Sequence, residues 1–109
     1  MNLGEFEELI LLIVALMDGK AYCNGIIEEL DRQTGRSATI GAVQIVLKRM
    51  EDKGWVTSAF GEATQERGGK RKRNYTITAE GQKALAQKNE QRNKLWNAIP
   101  KINWSYEAI

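Results

Sequence analysis

The 109-residue chain contains no histidine, one cysteine and one proline. Without histidine it lacks the usual general base, the commonest zinc ligand and half of any Ser-His or Cys-His pair, so an enzyme is not expected. The paired carboxylates Glu7-Glu8 and Glu28-Glu29 are neighbours on helix faces rather than facing groups, so no catalytic set, metal site or cofactor site converges. Cys23 has no partner for an internal disulfide, which suits a reducing, cytoplasmic location. With no second thiol to resolve an oxidised sulfur, Cys23 reads as a small hydrophobe without a role. Long apolar runs are also missing. The longest, Leu9 to Met17, is preceded by Glu5, Glu7 and Glu8 and is less than half of a bilayer-spanning helix, so neither a membrane span nor an export signal is expected.

What is present suits one small domain, since 42% hydrophobic content fills one modest core. Formal charge is only +2, but residues 1–54 carry 6 basic and 9 acidic side chains while residues 55–109 carry 10 and 5. The positive charge is therefore local.

Leu3 to Met17 predicts a helix that is apolar on almost every side from Leu9 onward and ends at Asp18-Gly19-Lys20. A second helix is expected from an Asn24 N-cap through Ile26, Ile27 and Leu30 to Thr34, with Gly35 as left-handed C-cap. Thr39 is placed to cap a third, in which Ile40, Val43, Leu47 and Met50 form the core stripe. Gly54 stops it. Trp55 to Phe60 and Asn74 to Ile77 have strand character and flank a loop from Gly61 to Arg73. Thr78 then caps a last helix reaching about Asn97, and Pro100 breaks the pattern.

This order predicts a mainly α fold with a small β-hairpin: a winged helix-turn-helix over residues 1–78, a C-terminal dimerisation helix over 79–99 and a tail over 100–109. The core stripe leaves Gly41, Gln44, Ile45 and Lys48 on the outer face of the third helix, a surface suited to the major groove of double-stranded DNA. There Gln44 can pair with adenine, Lys48 can reach guanine or phosphate, Gly41 permits close approach, and Thr39 can donate to a phosphate. At the hairpin tip Arg67, Lys70, Arg71, Lys72 and Arg73 place five positive charges in seven residues, a density suited to the phosphate backbone. Phe6, Ile10 and Ile13 of the first helix, with Leu85, Leu95, Trp96 and Ile99 of the last, are expected to form a homodimer seam. Trp96 could also line a pocket there for a small planar aromatic ligand. The residues leave open an alternative, a winged-helix module whose basic tip docks an acidic protein instead of DNA.

Several segments together, Leu3-Gly4-Glu5-Phe6-Glu7, Ile40-Gly41-Ala42-Val43, Leu47-Lys48-Arg49-Met50-Glu51, Gly54, and Glu66 to Arg73 followed by Thr78-Ala79-Glu80-Gly81, resemble the PadR-type transcriptional regulators over about residues 3 to 97. The resemblance implies a homodimeric winged helix, usually a repressor, with the third helix in the major groove, the wing on the backbone or minor groove, and the last helix dimerising. Short members of that family include sensors of planar aromatic drugs. By position, Thr39, Gly41, Gln44 and Lys48 fall on the recognition helix, and Lys70, Arg71, Lys72 and Arg73 on the wing. The chain departs from the family pattern at Cys23 (commonly Gly), Gln44 (commonly Tyr) and Asn74 (commonly aromatic), so its DNA sequence preference is not transferable from relatives.

Overall fold

The computed structural model describes residues 3–61 and 72–100. In chain order they form α1 (Glu5–Met17), α2 (Cys23–Thr34), α3 (Ile40–Asp52), β1 (Val56–Phe60), β2 (Arg73–Ile77) and α4 (Ala79–Ala98). This is the mainly α, hairpin-bearing architecture that the hydrophobic periodicity predicts.

Helix boundaries follow local chemistry. α1 ends where Asp18 turns left-handed at φ 49° and its N–H donates to the Ala15 carbonyl, a conformation Asp tolerates better than most residues. α2 ends at Gly35, with φ 74°, as expected, because a residue without Cβ enters that region at no steric cost. Its start differs from expectation: Cys23 is the first helical residue, Tyr22 occupies the cap position without a side-chain hydrogen bond, and Asn24 lies inside the first turn. The two threonine caps form as predicted. Thr39 Oγ1 accepts from the Ala42 N–H, and Thr78 Oγ1 accepts from the Gly81 N–H, each worth about 1 kcal/mol.

β1 and β2 form an antiparallel pair in the register Val56↔Ile77, Ser58↔Tyr75 and Phe60↔Arg73. Because side chains alternate across a strand, these six residues share one face of the hairpin. A further bridge, Tyr75 N–H to the Ala21 carbonyl at 2.7 Å, ties β2 to the α1–α2 connection.

The core lies at the junction of α1, α2, α3 and the hairpin, with Ile10, Leu11, Val14, Ile26, Leu30, Val43, Leu47, Met50 and Val56 fully buried. Each contributes about 1.5–3 kcal/mol by leaving water. Two expectations need correction. Ile40 is 49% exposed and Val46 takes its place in the core, because the Ile40 side chain points away from the interior and the buried row begins at Val43. Ile10 and Ile13, expected at a subunit seam, are buried within this chain's own core; α1 touches α2, α3, β2 and α4, and that encirclement leaves neither side chain surface for a second copy. Among the described residues no helix is long and apolar enough to cross a membrane.

α4 is attached at its first turn. Thr78 N–H donates to the Trp55 carbonyl and Thr78 Oγ1 to the Gly54 carbonyl at 2.6 Å, pressing Gly81 against the start of β1. A Cβ on Gly81 would stand 2.2 Å from the Trp55 oxygen and 2.8 Å from Ile77 Cγ1, and the backbone oxygen cannot rotate away. Gly81→Ala is therefore expected to destabilise the fold by about 1–3 kcal/mol despite the better helix propensity of alanine. Urea unfolding of the two proteins measures this, and an equal or raised midpoint would contradict the close approach.

Candidate nucleic-acid interface

The outer face of α3 is built by exclusion. Once Val43, Val46, Leu47 and Met50 are buried, Gly41, Gln44, Ile45 and Lys48 are left exposed, as the periodicity predicts. The Thr39 hydroxyl oxygen is occupied by the Ala42 N–H, which leaves its proton available to an acceptor outside. Lys48 Nζ lies 3.9 Å from Asp52 Oδ2, both well exposed, so this pair is weak and the ammonium remains available.

The hairpin base is brought to the same side. Gln44, Lys48 and Glu51 of α3 line one open cleft of about 500 Å³ with Lys72 and Arg73, together with Tyr22, Cys23, Asn24 and Tyr75. Arg67, Lys70 and Arg71, the remainder of the expected basic tip, lie outside the described residues.

Both described cations of the hairpin are positioned. Lys72 Nζ stands 4.1 Å from the centroid of the Tyr22 ring, within cation–π range. The Arg73 guanidinium lies 5.1 Å from the Phe60 ring centroid, and its Nε donates to Ser58 Oγ at 2.9 Å. The Ser58 hydroxyl in turn donates to Glu51 Oε2 at 2.7 Å. Glu51, Ser58 and Arg73 thus run as a relay from the last turns of α3 to the base of the wing. Tyr22, Glu51, Ser58 and Phe60 were not among the residues that sequence reasoning selected. The strand register would have placed Ser58 and Phe60 on the Arg73 face, but the pairing itself needs the turn geometry.

The expected dimer residues separate into three groups. Ile10 and Ile13 are interior, as corrected above, while Phe6 and Leu85 are half-buried against the chain's own core. Phe6 also lies under the Arg36 guanidinium at 5.0 Å. Leu95, Trp96 and Ile99, by contrast, are exposed along the end of α4 at 65%, 55% and 40%. On α1 the exposed apolar residues are Leu12 and Leu16. α4 is held to the body by Arg92, whose guanidinium donates to the buried Glu8 carboxylate at 3.0 Å; Leu95 and Trp96 lie beyond that tie. Trp96 lines neither the cleft at Lys72 and Arg73 nor the one against Leu3 and Trp55.

Burial raises the pKa of two groups lining the cleft. The Cys23 thiol is pushed up by desolvation. Tyr75 is raised by desolvation first, with Arg73 opposing. For both, the folded state favours the protonated form, so the associated stability is intact at neutral pH and is lost as pH rises through the titration. Since Cys23 is the one thiol in the chain, the pH profile of iodoacetamide alkylation reads it directly. The midpoint is expected above that of the unfolded protein in urea; a midpoint at or below it would show that the thiol is solvated.

The model of the "Transcriptional regulator PadR-like family" matches residues 10–87. Among solved structures, a PadR family transcription regulator from Clostridium difficile is 28% identical, with 86% of this chain and 93% of that one covered at a TM-score of 0.69. A transcriptional regulator from Clostridium thermocellum is 25% identical over 89% of this chain and 88% of that one, TM-score 0.68. A PadR-like transcription factor from Bacteroides fragilis shares the fold at a TM-score of 0.74 and 21% identity, covering 89% and 88% of the two chains. No curated protein matches the sequence. The family match spans most of the chain and both hairpin strands, and with the winged helix-turn-helix fold it establishes that this protein belongs to the PadR-like family of transcriptional regulators.

Proposed function

We propose that the chain is a sequence-specific double-stranded DNA-binding regulator that acts as a homodimeric repressor on a pseudo-palindromic operator. The observation that carries this reading is the shared cleft, which puts the outer face of α3 and the cations of the wing base on one side of the molecule. In this reading α3 enters the major groove, with Gln44 and Lys48 directed to base edges, Thr39 and the bare backbone at Gly41 close to the DNA, and Lys72 and Arg73 on phosphates. Arg67, Lys70 and Arg71, which precede them in the sequence, add positive charge to the same segment. The Tyr22 ring and the Ser58–Glu51 relay reduce the side-chain freedom that the two wing cations lose on binding.

The dimer seam is assigned to α4 and to the exposed side of α1. Leu95, Trp96 and Ile99 of the last helix, with Leu12 and Leu16 of α1, are the exposed apolar side chains that a two-fold partner would cover. Residues 1–78 then serve as the DNA-binding unit and 79–99 as the dimerising one. Two copies of α3 would meet half-sites about one DNA turn, roughly 34–36 Å, apart. The Trp96 ring on that seam offers a stacking surface for a planar aromatic effector that releases the DNA.

Two measurements test this. First, gel shifts across a salt series are expected to show tight binding of a selected duplex, with Lys72→Ala/Arg73→Ala lowering affinity and reducing the slope of log K against log salt by about two units. Unchanged affinity and slope in the double variant would exclude the wing contact, and the absence of any preferred duplex would exclude the DNA-binding reading. Second, sedimentation is expected to give a dimer for the native chain and a monomer for Leu95→Glu/Trp96→Glu, with far-UV circular dichroism of the variant checking that its helix content is kept. A native monomer at micromolar concentration would remove the seam.

A further inference from the structure

Among the described residues, the most exposed large apolar side chain of α3 lies on its outer face, in the row of Gly41, Gln44 and Lys48. Ile45 is 61% exposed, and it stands one helical turn beyond Gly41, where an added Cβ would meet nothing within 4 Å. Gln44 and Lys48 flank it on the same exposed face. The surface is therefore low at Gly41, raised at Ile45, and bordered by an amide and an ammonium.

Ile45 has no donor or acceptor beyond its backbone, which the helix occupies. Pressed against a polar base edge, it would strip water from that edge and return no hydrogen bond, an unfavourable exchange. The major groove displays one apolar group, the C5-methyl of thymine. Resting on the proposed entry of α3 into that groove, we infer that Ile45 is a specificity-determining residue that packs on a thymine methyl, next to a Gln44 suited to adenine. The two adjacent residues then select A·T-containing steps by opposite chemistries, an apolar contact and a bidentate amide. A C·G pair at the thymine position would place the cytosine amino group against the Ile45 side chain, so discrimination has both an attractive and a repulsive part.

The test uses the full chain and a duplex enriched from a randomised pool by that chain. Each thymine of the enriched site is replaced in turn by deoxyuridine, which removes the methyl alone. One position per half-site is expected to lose about fourfold in affinity, the value of one buried methyl-sized group. Ile45→Ala is expected to bind the thymine and deoxyuridine duplexes equally, with an unchanged salt slope because no phosphate contact is lost. At the same position 5-methylcytosine is expected to bind the native chain better than cytosine does, and the variant equally. An enriched duplex in which every deoxyuridine replacement is silent, or a thymine preference that persists in Ile45→Ala, would overturn the assignment while leaving DNA binding in place. Failure of the pool to enrich would overturn the DNA-binding reading itself, and this assignment with it.

Discussion

Exclusion of water from α1 is the constraint on which the rest of the structure depends. Ile10, Leu11 and Val14 are buried, and α2, α3, β2 and α4 all contact this helix. None of those elements has enough apolar surface to be stable alone, so each is placed by the part of α1 that it covers. The angle between α3 and the hairpin, and hence the existence of a shared cleft, is a consequence of that packing.

Charge at the N-terminal end of α1 reinforces the arrangement. Glu7 and Glu8 are both buried polar side chains, yet each has partners. Glu7 accepts from the Gly4 N–H and from Arg49 at 3.2 Å, with Lys53 Nζ at 3.9 Å, and Glu8 accepts from Arg92. Adjacent carboxylates that point to different elements thus tie α1 to α3 on one side and to α4 on the other. Such pairs add less net stability than apolar packing of the same volume, because desolvation offsets most of the attraction. Their directional bonds fix relative orientation, which the non-directional hydrophobic contacts leave loose. For a protein whose proposed work is to hold two helices at a set distance on DNA, orientation is the quantity that matters.

The wing base shows a similar division. Arg73 is aimed by Ser58 and Glu51, and Lys72 by the Tyr22 ring. The residues that present the positive charge come from the basic run, whereas those that aim it come from β1, α3 and the start of α2. Cys23 also joins elements: its thiol lies 3.9 Å from the Ile40 carbonyl, linking the starts of α2 and α3. Its position at the wall of the cleft accounts for its desolvation without requiring a chemical role.

Much of this was legible in the residues. Thr39 and Thr78 announce helix starts because a hydroxyl three residues before a free N–H satisfies it locally, and Gly35 announces an end for an equally local reason. The exposed row Gly41, Gln44, Ile45 and Lys48 follows from periodicity, and the charge of residues 67–73 is visible as composition. Locality is why these features could be read. Ile10 and Ile13 were assigned to the wrong surface because periodicity counts apolar residues without saying whether the chain itself or a second copy covers them. Ile40 reads as core because a repeat has no means of showing at which turn of a helix burial begins. The Glu51–Ser58–Arg73 relay, the Tyr22–Lys72 contact and the Gly81–Trp55 approach join residues far apart in the chain, and only packing around α1 decides which of them meet. By itself the sequence determined the elements, their caps and their charge, since those depend on neighbours within a turn or two. The tertiary structure decided which apolar faces are spent inside and which cations are aimed, since those depend on the three-dimensional closure of the core.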